Sequence, residues 1–318
     1  MGLIVRAIRE GASPMIGYLS QRLALALLVC LTVSLITFFL LSSSGDIVSA
    51  IAGEEATPEQ IAALRRELGL DAHWTVRYLE WLGNAMRGDF GNSLFFRETV
   101  ANLIMHRLPN TLQLAGMSLA VMLSLSLPLG MLAAFRPNTW VDRLALSIAV
   151  LGQAMPNFWF GLILMVVFAL NLGWLPPSGS ATNWHFILPA IALGYYATPP
   201  VMRLTRAGMI EVLGTDYIRT ARAKGLSTTR VLFKHALRNA IIPVVALTAV
   251  QFGNMLGGSV VIETVFGIQG VGYLAWESIT RLDVPVVQAI MLLVAIFYIT
   301  LVLVADVLNA WLDPKIRK

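Results

Sequence analysis

The sequence predicts an all-α, polytopic membrane protein with six transmembrane helices and both termini in the cytoplasm. The composition, the long apolar runs and the distribution of basic residues support this prediction. Hydrophobic residues make up 57% of the 318 residues and charged residues 13%, with a mean hydropathy of +0.73. An ordinary soluble domain has about 25% charged residues, so the class of soluble globular proteins is excluded.

Six apolar runs are long enough to cross a bilayer, which takes about 20 residues per helix. They are residues 23–41, 111–135, 144–170, 186–202, 241–262 and 284–305. The third run contains Gln153, Pro156 and Asn157, and the fourth is short and contains three prolines. Because neighbouring helices satisfy the backbone groups that proline frees, these two spans are expected to face protein or a cavity.

The first run is expected to stay in the mature protein. Arg22 precedes it and Ala50-Ile51-Ala52 is similar to a small-residue cleavage site. The run is nevertheless about 19 residues long, which exceeds the 7–15 residues of a signal-peptide core. Its single cysteine, Cys30, is the only one in the chain, so no disulfide within the chain is possible.

Basic residues predict the orientation, because cytoplasmic segments of membrane proteins are rich in Lys and Arg. The two tails and the segments after the second and fourth runs hold 16 of the 23 basic residues, and nine of the 18 acids lie between Asp46 and Glu98. The predicted division is a cytoplasmic tail 1–22, a six-helix domain 23–306 and a cytoplasmic tail 307–318. Within the domain, 42–110 and 263–283 are external and 203–240 is cytoplasmic.

The external segment 42–110 is expected to contain two helices. Thr57 to Gln60 has the pattern of a capping box with proline at the first helical position, followed by an apolar face that ends at Gly69. A second helix, over about 73–87, carries three aromatic residues: Trp74, Tyr78 and Trp81. These aromatics fit an interfacial belt at the membrane surface, a docking surface for an external partner, or both.

The cytoplasmic segment 203–240 carries eight basic and two acidic residues. Thr215 can cap a short helix over about 215–224, and Gly225 is placed as its C-cap. Ser227 can cap a second helix that runs through about 240. The small residues at the centre of the loop, Thr220, Ala221, Ala223 and Gly225, leave room for the surface of another protein.

Three interpretations compete for this loop. It could be a basic loop that touches anionic lipid, or a helix-turn-helix that binds DNA, or a coupling element received by a cytoplasmic motor subunit. Membrane spans that tether the loop within a few residues on both sides argue against the DNA-binding geometry, and no nucleic-acid partner is expected.

Residues 215–243 resemble the EAA loop of the permease subunits of bacterial ABC importers, in the branch that imports dipeptides, oligopeptides, glutathione and nickel. The resemblance extends from about residue 19 to the end of the chain. It includes ELGL at 67–70, RGDFG at 87–91, RLPNTLQL at 107–114, VIETVFGIQGVG at 261–272, DVPVVQA at 283–289 and DVLNAWLDPKIR at 306–317.

The resemblance implies a non-catalytic, multi-pass permease of the bacterial cytoplasmic membrane, working with a paralogous permease, two ATPase subunits and a periplasmic or lipid-anchored binding protein. ATP and Mg²⁺ would be held by the ATPases, with no cofactor or metal on this chain. The expected cargo is a peptide or peptide-like solute, or alternatively a chelated nickel or glutathione-type solute. The loop residues expected to contact the ATPase are Asp216, Tyr217, Arg219, Thr220, Ala221, Lys224, Gly225 and Leu226.

The match departs from the family pattern at three places. The general loop begins Glu-Ala-Ala, where this chain has Arg219, Thr220 and Ala221, as in the peptide branch. Residues 44–47 and 268–272 also differ from the usual Pro-Gly-Asp-Pro and Trp-Pro-Gly-Leu-Gly. Because these last two segments are predicted to be external, they bear on the solute and on the binding protein.

Amides inside the apolar runs are the candidates for a translocation pathway: Gln153, Asn157, Gln251 and Asn254. Glu263, at the outer end of the fifth run, is expected to be a solvated interfacial carboxylate. Gly253 and Gly257 form a small-xxx-small pattern that favours close packing of helices within the chain.

The sequence contains no constellation for chemistry. The four histidines are scattered over both sides of the membrane, and no phosphate-binding GxxxxGK[ST] pattern is present. A self-sufficient secondary transporter is the alternative from another class. It would need an internal repeat and ionisable residues at mid-membrane, and the sequence has neither signal.

Overall fold

The computed structural model describes residues 14–43, 57–67 and 71–312, which form a helical protein. The helices are α1 Pro14–Ser43, α2 Pro58–Glu67, α3 Trp74–Ala85, α4 Val100–Phe135, α5 Trp140–Ala154, α6 Asn157–Leu164, α7 Ile187–Leu213 and α8 Asp216–Ala223, then α9, α10 Ile242–Phe266, α11 Val271–Thr280 and α12 Val284–Leu312. A π-helical turn, Met165–Asn171, extends α6. The stretch 228–240, labelled α9, consists of Thr228–Arg230, the π-helical Val231–Ala236 and Leu237–Ala240.

The centre of the molecule is the pair of helices α4 and α7, which pack side by side. Leu114 of α4 and Leu193 and Val201 of α7 are buried in one apolar core. Gly194 allows the backbones to approach, since a Cβ there would lie 2.5 Å from the carbonyl oxygen of Ser118. Small residues at such contacts let helices pack closely within a membrane.

The third predicted span, 144–170, is not one straight helix. The run forms two helical segments, α5 and α6, and α6 includes its π-helical extension. The two segments are bent by 100° relative to each other. Met155, before Pro156, is extended with φ −111° and ψ 137°. Proline disfavours helical backbone in the residue before it, so the helix stops at this point and restarts at Asn157.

Four helices of the described chain are long and apolar enough to cross a membrane, or five spans if the bent pair counts as one. The fourth predicted run, 186–202, lies in α7, which contains Pro199 and Pro200 and continues to Leu213. The count of six spans and the orientation therefore remain predictions.

The helices also extend beyond the predicted domain boundaries. α1 begins at Pro14 instead of near residue 23, and α12 continues to Leu312 instead of ending near 306. The remaining parts of the predicted tails, 1–13 and 313–318, lie outside the described residues, as do 44–47, Gly69 and most of the ELGL motif.

The capping box at the start of α2 is confirmed. The backbone N–H of Thr57 donates to Gln60 Oε1 at 2.9 Å, and the backbone N–H of Gln60 donates to Thr57 Oγ1 at 3.4 Å. These reciprocal bonds satisfy two N–H groups that a helix start otherwise leaves unpaired.

The aromatic face of α3 packs against α1. The Tyr78 hydroxyl is 2.9 Å from Ser34 Oγ, and the rings of Tyr78 and Trp81 lie 5.5 and 6.1 Å from the ring of Phe38. Trp74 contacts Phe39 and remains 40% exposed. Packing within the chain thus accounts for Tyr78 and Trp81.

Candidate functional site

The loop 214–240 joins α7 to α10 and contains the first group of predicted site residues. Its first helix, α8, begins after Thr215, as predicted, but the Thr215 hydroxyl donates to the carbonyl of Val212 at 2.6 Å and does not cap α8. Ser227 likewise stands at the start of α9 without a side-chain cap hydrogen bond. The helix starts are therefore where the sequence placed them, but the expected side-chain caps are absent at both described positions.

Gly225 ends α8 in the predicted left-handed conformation, with φ 75°. Its N–H donates to the carbonyl of Arg222 at 2.9 Å, and the N–H of Leu226 donates to that of Ala221 at 3.3 Å. This pair of bonds is the Schellman arrangement, which satisfies the last carbonyls of a helix and favours glycine at the left-handed position. The sharp turn between α8 and α9 follows from it.

One face of α8 is buried against the chain itself. Ile218 and Ala221 belong to an apolar cluster with Met131 of α4, Met209 of α7 and Val231 of α9. The expectation that Ala221 leaves room for another protein is therefore wrong. Its small size permits packing within the chain, because the side chain points inward and is 8% exposed.

The other face of α8 is open to solvent. Six predicted contact residues are exposed, Ala221 is buried and Leu226 is half-buried; the exposed ones are Asp216, Tyr217, Arg219, Thr220, Lys224 and Gly225. Asn239 of α9 donates to the Tyr217 hydroxyl at 2.7 Å and ties the two helices together.

Phe233 is an exposed residue of this loop that sequence reasoning missed. Its side chain is 57% exposed on the π-helical turn of α9. The apolar stripe assigned to α9 from the sequence runs through Val231, Leu232, Ala236 and Leu237, and Phe233 lies off that stripe. The sequence signal that could have identified Phe233 as exposed is its position outside the buried apolar stripe of α9.

The four predicted pathway amides line one cavity of about 360 Å³. Gln153 lies near the end of α5, Asn157 is the first residue of α6, and Gln251 and Asn254 lie on α10. The remaining lining residues are Leu193, Tyr196, Ala197, Pro200, Met255 and Gly258. The bend at Pro156 brings Gln153 and Asn157 to the same cavity from two helices, an arrangement that a single straight span would not produce.

The cavity is polar without being charged. Asn254 Nδ2 donates to Gln251 Oε1 at 3.2 Å, and Gln251 Nε2 donates to the carbonyl of Ala197 at 3.4 Å. Gln153 and Asn254 are exposed on the surface of the single chain. Neutral amides can both donate and accept hydrogen bonds, so the cavity suits a solute with amide or hydroxyl groups.

The glycines of α10 have different surroundings. A Cβ at Gly253 would lie 2.8 Å from the ring of Tyr298 on α12, whereas nothing lies within 4 Å of one at Gly257. Close helix packing within the chain is therefore confirmed at Gly253 alone.

The prediction of a solvated Glu263 is wrong, because its side chain is fully buried. Thr111 Oγ1 donates to Glu263 Oε1 at 2.9 Å, and the backbone N–H of Tyr273 donates to Oε2 at 2.9 Å. The Thr111 hydroxyl in turn accepts the backbone N–H of Val271 at 2.8 Å. The carboxylate thus holds the turn between α10 and α11 against α4.

Two family models match the chain. Residues 126–318 match the family described as binding-protein-dependent transport system inner membrane component, and residues 15–115 match its N-terminal region. The chain therefore belongs to the inner-membrane permease family of ABC importers, and its own role is that of a transport subunit. Membership of this family decides against a self-sufficient secondary transporter.

Curated relatives match over almost their whole length. The chain is 42% identical over 304 residues to the glutathione transport system permease protein GsiC of Escherichia coli strain K12, covering 95% of this chain and 99% of the relative. It is 41% identical, with the same coverage, to GsiC of Salmonella typhimurium strain LT2.

A solved structure has a similar fold. In inward-facing conformations of the MetNI methionine ABC transporter, one chain aligns with 66% of this protein and 96% of its own length. The TM-score is 0.55 at 18% sequence identity.

Proposed function

We propose that this permease takes its energy from two ATPase subunits, which bind ATP and Mg²⁺ and contact the exposed face of the loop 214–240 in the cytoplasm. The observation that supports this proposal is the placement of α8, which is fixed to its own chain on one face and exposed on the other. Ile218 and Ala221 fix it on its own chain while Thr220 and Lys224 point outward. α8 also begins directly after α7, which walls the polar cavity, so a displaced α8 would move one wall of that cavity.

We also propose that a second, paralogous permease covers the cavity. Gln153 and Asn254 are exposed on the single chain although they belong to apolar helices. Polar groups in a membrane face protein or a water-filled cavity because contact with lipid leaves them without hydrogen bonds. A second permease that contributes the opposite wall would remove that cost and enclose a shared pathway.

A peptide-like solute of the glutathione type, delivered by a binding protein, fits these features. The relatives that match 95% of the chain are glutathione permeases by name. The amides at the cavity can pair with the backbone amides of a short peptide, and the lining residues carry no charge that would select for one ion.

The energy source is tested with Thr220→Arg in the complete transporter, co-expressed with its ATPases. Thr220 is exposed, so the arginine is accommodated by this chain and obstructs only a partner. Glu80→Arg, on the exposed surface of α3, is the matched control. We expect the loop variant to lose co-purified ATPase and at least about 10-fold of uptake, as expected for a coupling contact. Normal uptake by Thr220→Arg would contradict the assignment of this loop as the ATPase contact.

The solute is tested by uptake into proteoliposomes with the binding protein present. Labelled glutathione competes against dipeptides, longer peptides and a nickel chelate, and we expect glutathione-type peptides to be taken up. Asn254→Leu is expected to raise the solute concentration for half-maximal uptake without changing the folded protein, since Asn254 is exposed. Exclusive uptake of the nickel chelate contradicts the peptide assignment.

A further inference from the structure

A partly buried ion pair links α5 to α7, with the Arg206 side chain 24% exposed. Asp142, in the first turn of α5, is 3% exposed, and its two oxygens accept hydrogen bonds from Arg206 of α7. Arg206 Nε donates to Oδ1 and Nη2 donates to Oδ2, each at 2.7 Å. Oδ2 also accepts the backbone N–H of Asn138 at 2.8 Å, so the same carboxylate holds the turn between α4 and α5.

Stability alone does not account for an ion pair at this position. Removing two charges from water costs about as much as their attraction returns, and a well-packed apolar pair of the same volume is often as stable. A bidentate guanidinium–carboxylate contact, however, fixes the two helices in a definite orientation. Its geometry therefore points to positioning.

The location of the pair supports that role. Arg206 lies on α7 between Pro200, which lines the cavity, and Leu213, where α7 ends before α8. Asp142 lies near the start of α5, and Gln153, another cavity residue, lies near its end. The pair thus connects the helix that leads into the loop with the helix that carries one cavity amide.

Elsewhere, small residues of α5 meet α7. Ala145 and Ala149 are buried against Met202, and a Cβ on Gly152 would lie 2.6 Å from the carbonyl oxygen of Tyr195. Such residues allow the two helix backbones to approach closely, and they carry no charge. A second polar contact, from the Tyr195 hydroxyl to the carbonyl of Ile148 at 2.5 Å, does not involve a charge.

We propose that Asp142 and Arg206 are positioning residues that make α5 follow α7 when the loop 214–240 moves. Movement of the loop is then transmitted to both sides of the cavity, through α7 directly and through α5 by way of the ion pair. The inference rests on the proposed function of the loop, because it needs a partner ATPase that moves α8.

The test uses the complete transporter in proteoliposomes, with its ATPases, its binding protein and a transported peptide. Asp142→Asn removes the charge, and the double variant Asp142→Leu with Arg206→Met replaces the pair by apolar side chains. The control is Glu277→Gln, which breaks the 2.9 Å ion pair between Glu277 of α11 and Arg281, the residue that follows the helix. The measurement is the number of ATP molecules hydrolysed per solute transported.

We expect both pair variants to bind the ATPases normally while the ratio rises about 10-fold, within the usual range of coupling energies. The control is expected to keep the wild-type ratio. If Asp142→Asn does not accumulate because it leaves the partly buried Arg206 without its partner, the result for the apolar double variant is the test. A wild-type ratio in the double variant overturns the inference, since it shows that packing suffices. Failure of the wild-type chain to retain the ATPases instead overturns the proposed function of the loop.

Discussion

Glu263 and Asp142 are both buried carboxylates, but their surroundings differ. Backbone N–H groups and the Thr111 hydroxyl satisfy Glu263, and in the described part of the chain no basic side chain forms an ion pair with it. Asp142 is held by the guanidinium of Arg206. Glu263 lies at the end of α10 that is far from the loop 214–240. Asp142 lies in the first turn of α5 and pairs with α7, the helix that leads into that loop.

The difference shows two uses of a buried carboxyl group. Glu263 accepts hydrogen bonds from the backbone directly after its own helix and from the Thr111 hydroxyl of α4, so it fixes a turn and holds that turn against another helix. Asp142 pairs with a residue 64 positions away on another long helix. Both carboxyl groups also accept backbone N–H groups, so the difference lies in the side-chain partner: a neutral hydroxyl for Glu263 and a guanidinium for Asp142. The following predictions test the turn that Glu263 holds and then the turn at Gly225 in the loop, in order of decreasing effect on folding.

Glu263→Leu is expected to have the largest effect on folding. It leaves the Tyr273 N–H and the Thr111 hydroxyl without their acceptor, and each buried unsatisfied group costs about 1–3 kcal/mol. We expect a loss of several kcal/mol, measured as a lower melting temperature in detergent and lower accumulation in the membrane. Glu277→Gln, at a partly exposed carboxylate of α11, serves as the control. An unchanged melting temperature for Glu263→Leu would contradict the role of Glu263 in holding this turn.

Gly270→Ala is expected to disturb the same turn by about 1–3 kcal/mol, through overpacking. A Cβ at Gly270 would overlap Glu263 Oε2 and would lie 2.6 Å from Thr111 Oγ1. Gly116→Ala is the matched control, because nothing lies within 4 Å of a Cβ at that helical position. The control should be neutral or slightly stabilising in thermal unfolding. Equal effects of the two alanines would mean that the turn tolerates displacement of the carboxylate.

Gly225→Ala is expected to have the smallest effect on folding, about 1–2 kcal/mol, because only the left-handed backbone opposes it. No atom lies within 4 Å of a Cβ there. Gly225→Asn should be tolerated better, since asparagine adopts positive φ more readily than other residues with a side chain. Uptake and thermal unfolding, compared for the two variants, check this order. Equal loss of uptake in both would mean that the proposed partner contact, and not the backbone, requires glycine.

Sequence reasoning succeeded where neighbouring residues determine the outcome. The capping box at Thr57 and Gln60 and the left-handed end of α8 at Gly225 depend on hydrogen bonds that span a few residues. The family was also recognisable from the loop, because its motif is continuous. The structure places the four amides around one cavity, and their part in a translocation pathway stays a prediction.

The errors concern contacts between distant segments. Glu263 was assigned to solvent because its burial depends on Thr111, 152 residues earlier. Ala221 was assigned to a partner surface because its inward direction depends on how α8 packs on α4 and α7. The proline at 156 was recognised as an interruption, but the resulting 100° bend depends on the packing of the two half-helices.

By itself, the sequence determined the helical membrane class, the start of α2, the end of α8 and the permease family, because these depend on composition, on local hydrogen bonds and on continuous motifs. Only the tertiary structure decided which polar groups are buried together: Glu263 with Thr111, Asp142 with Arg206, and the four amides around one cavity. The physical reason is that the pairing of a buried polar group is set by whatever other helix lies against it. That neighbour is specified by packing over the whole chain and leaves no local pattern of its own.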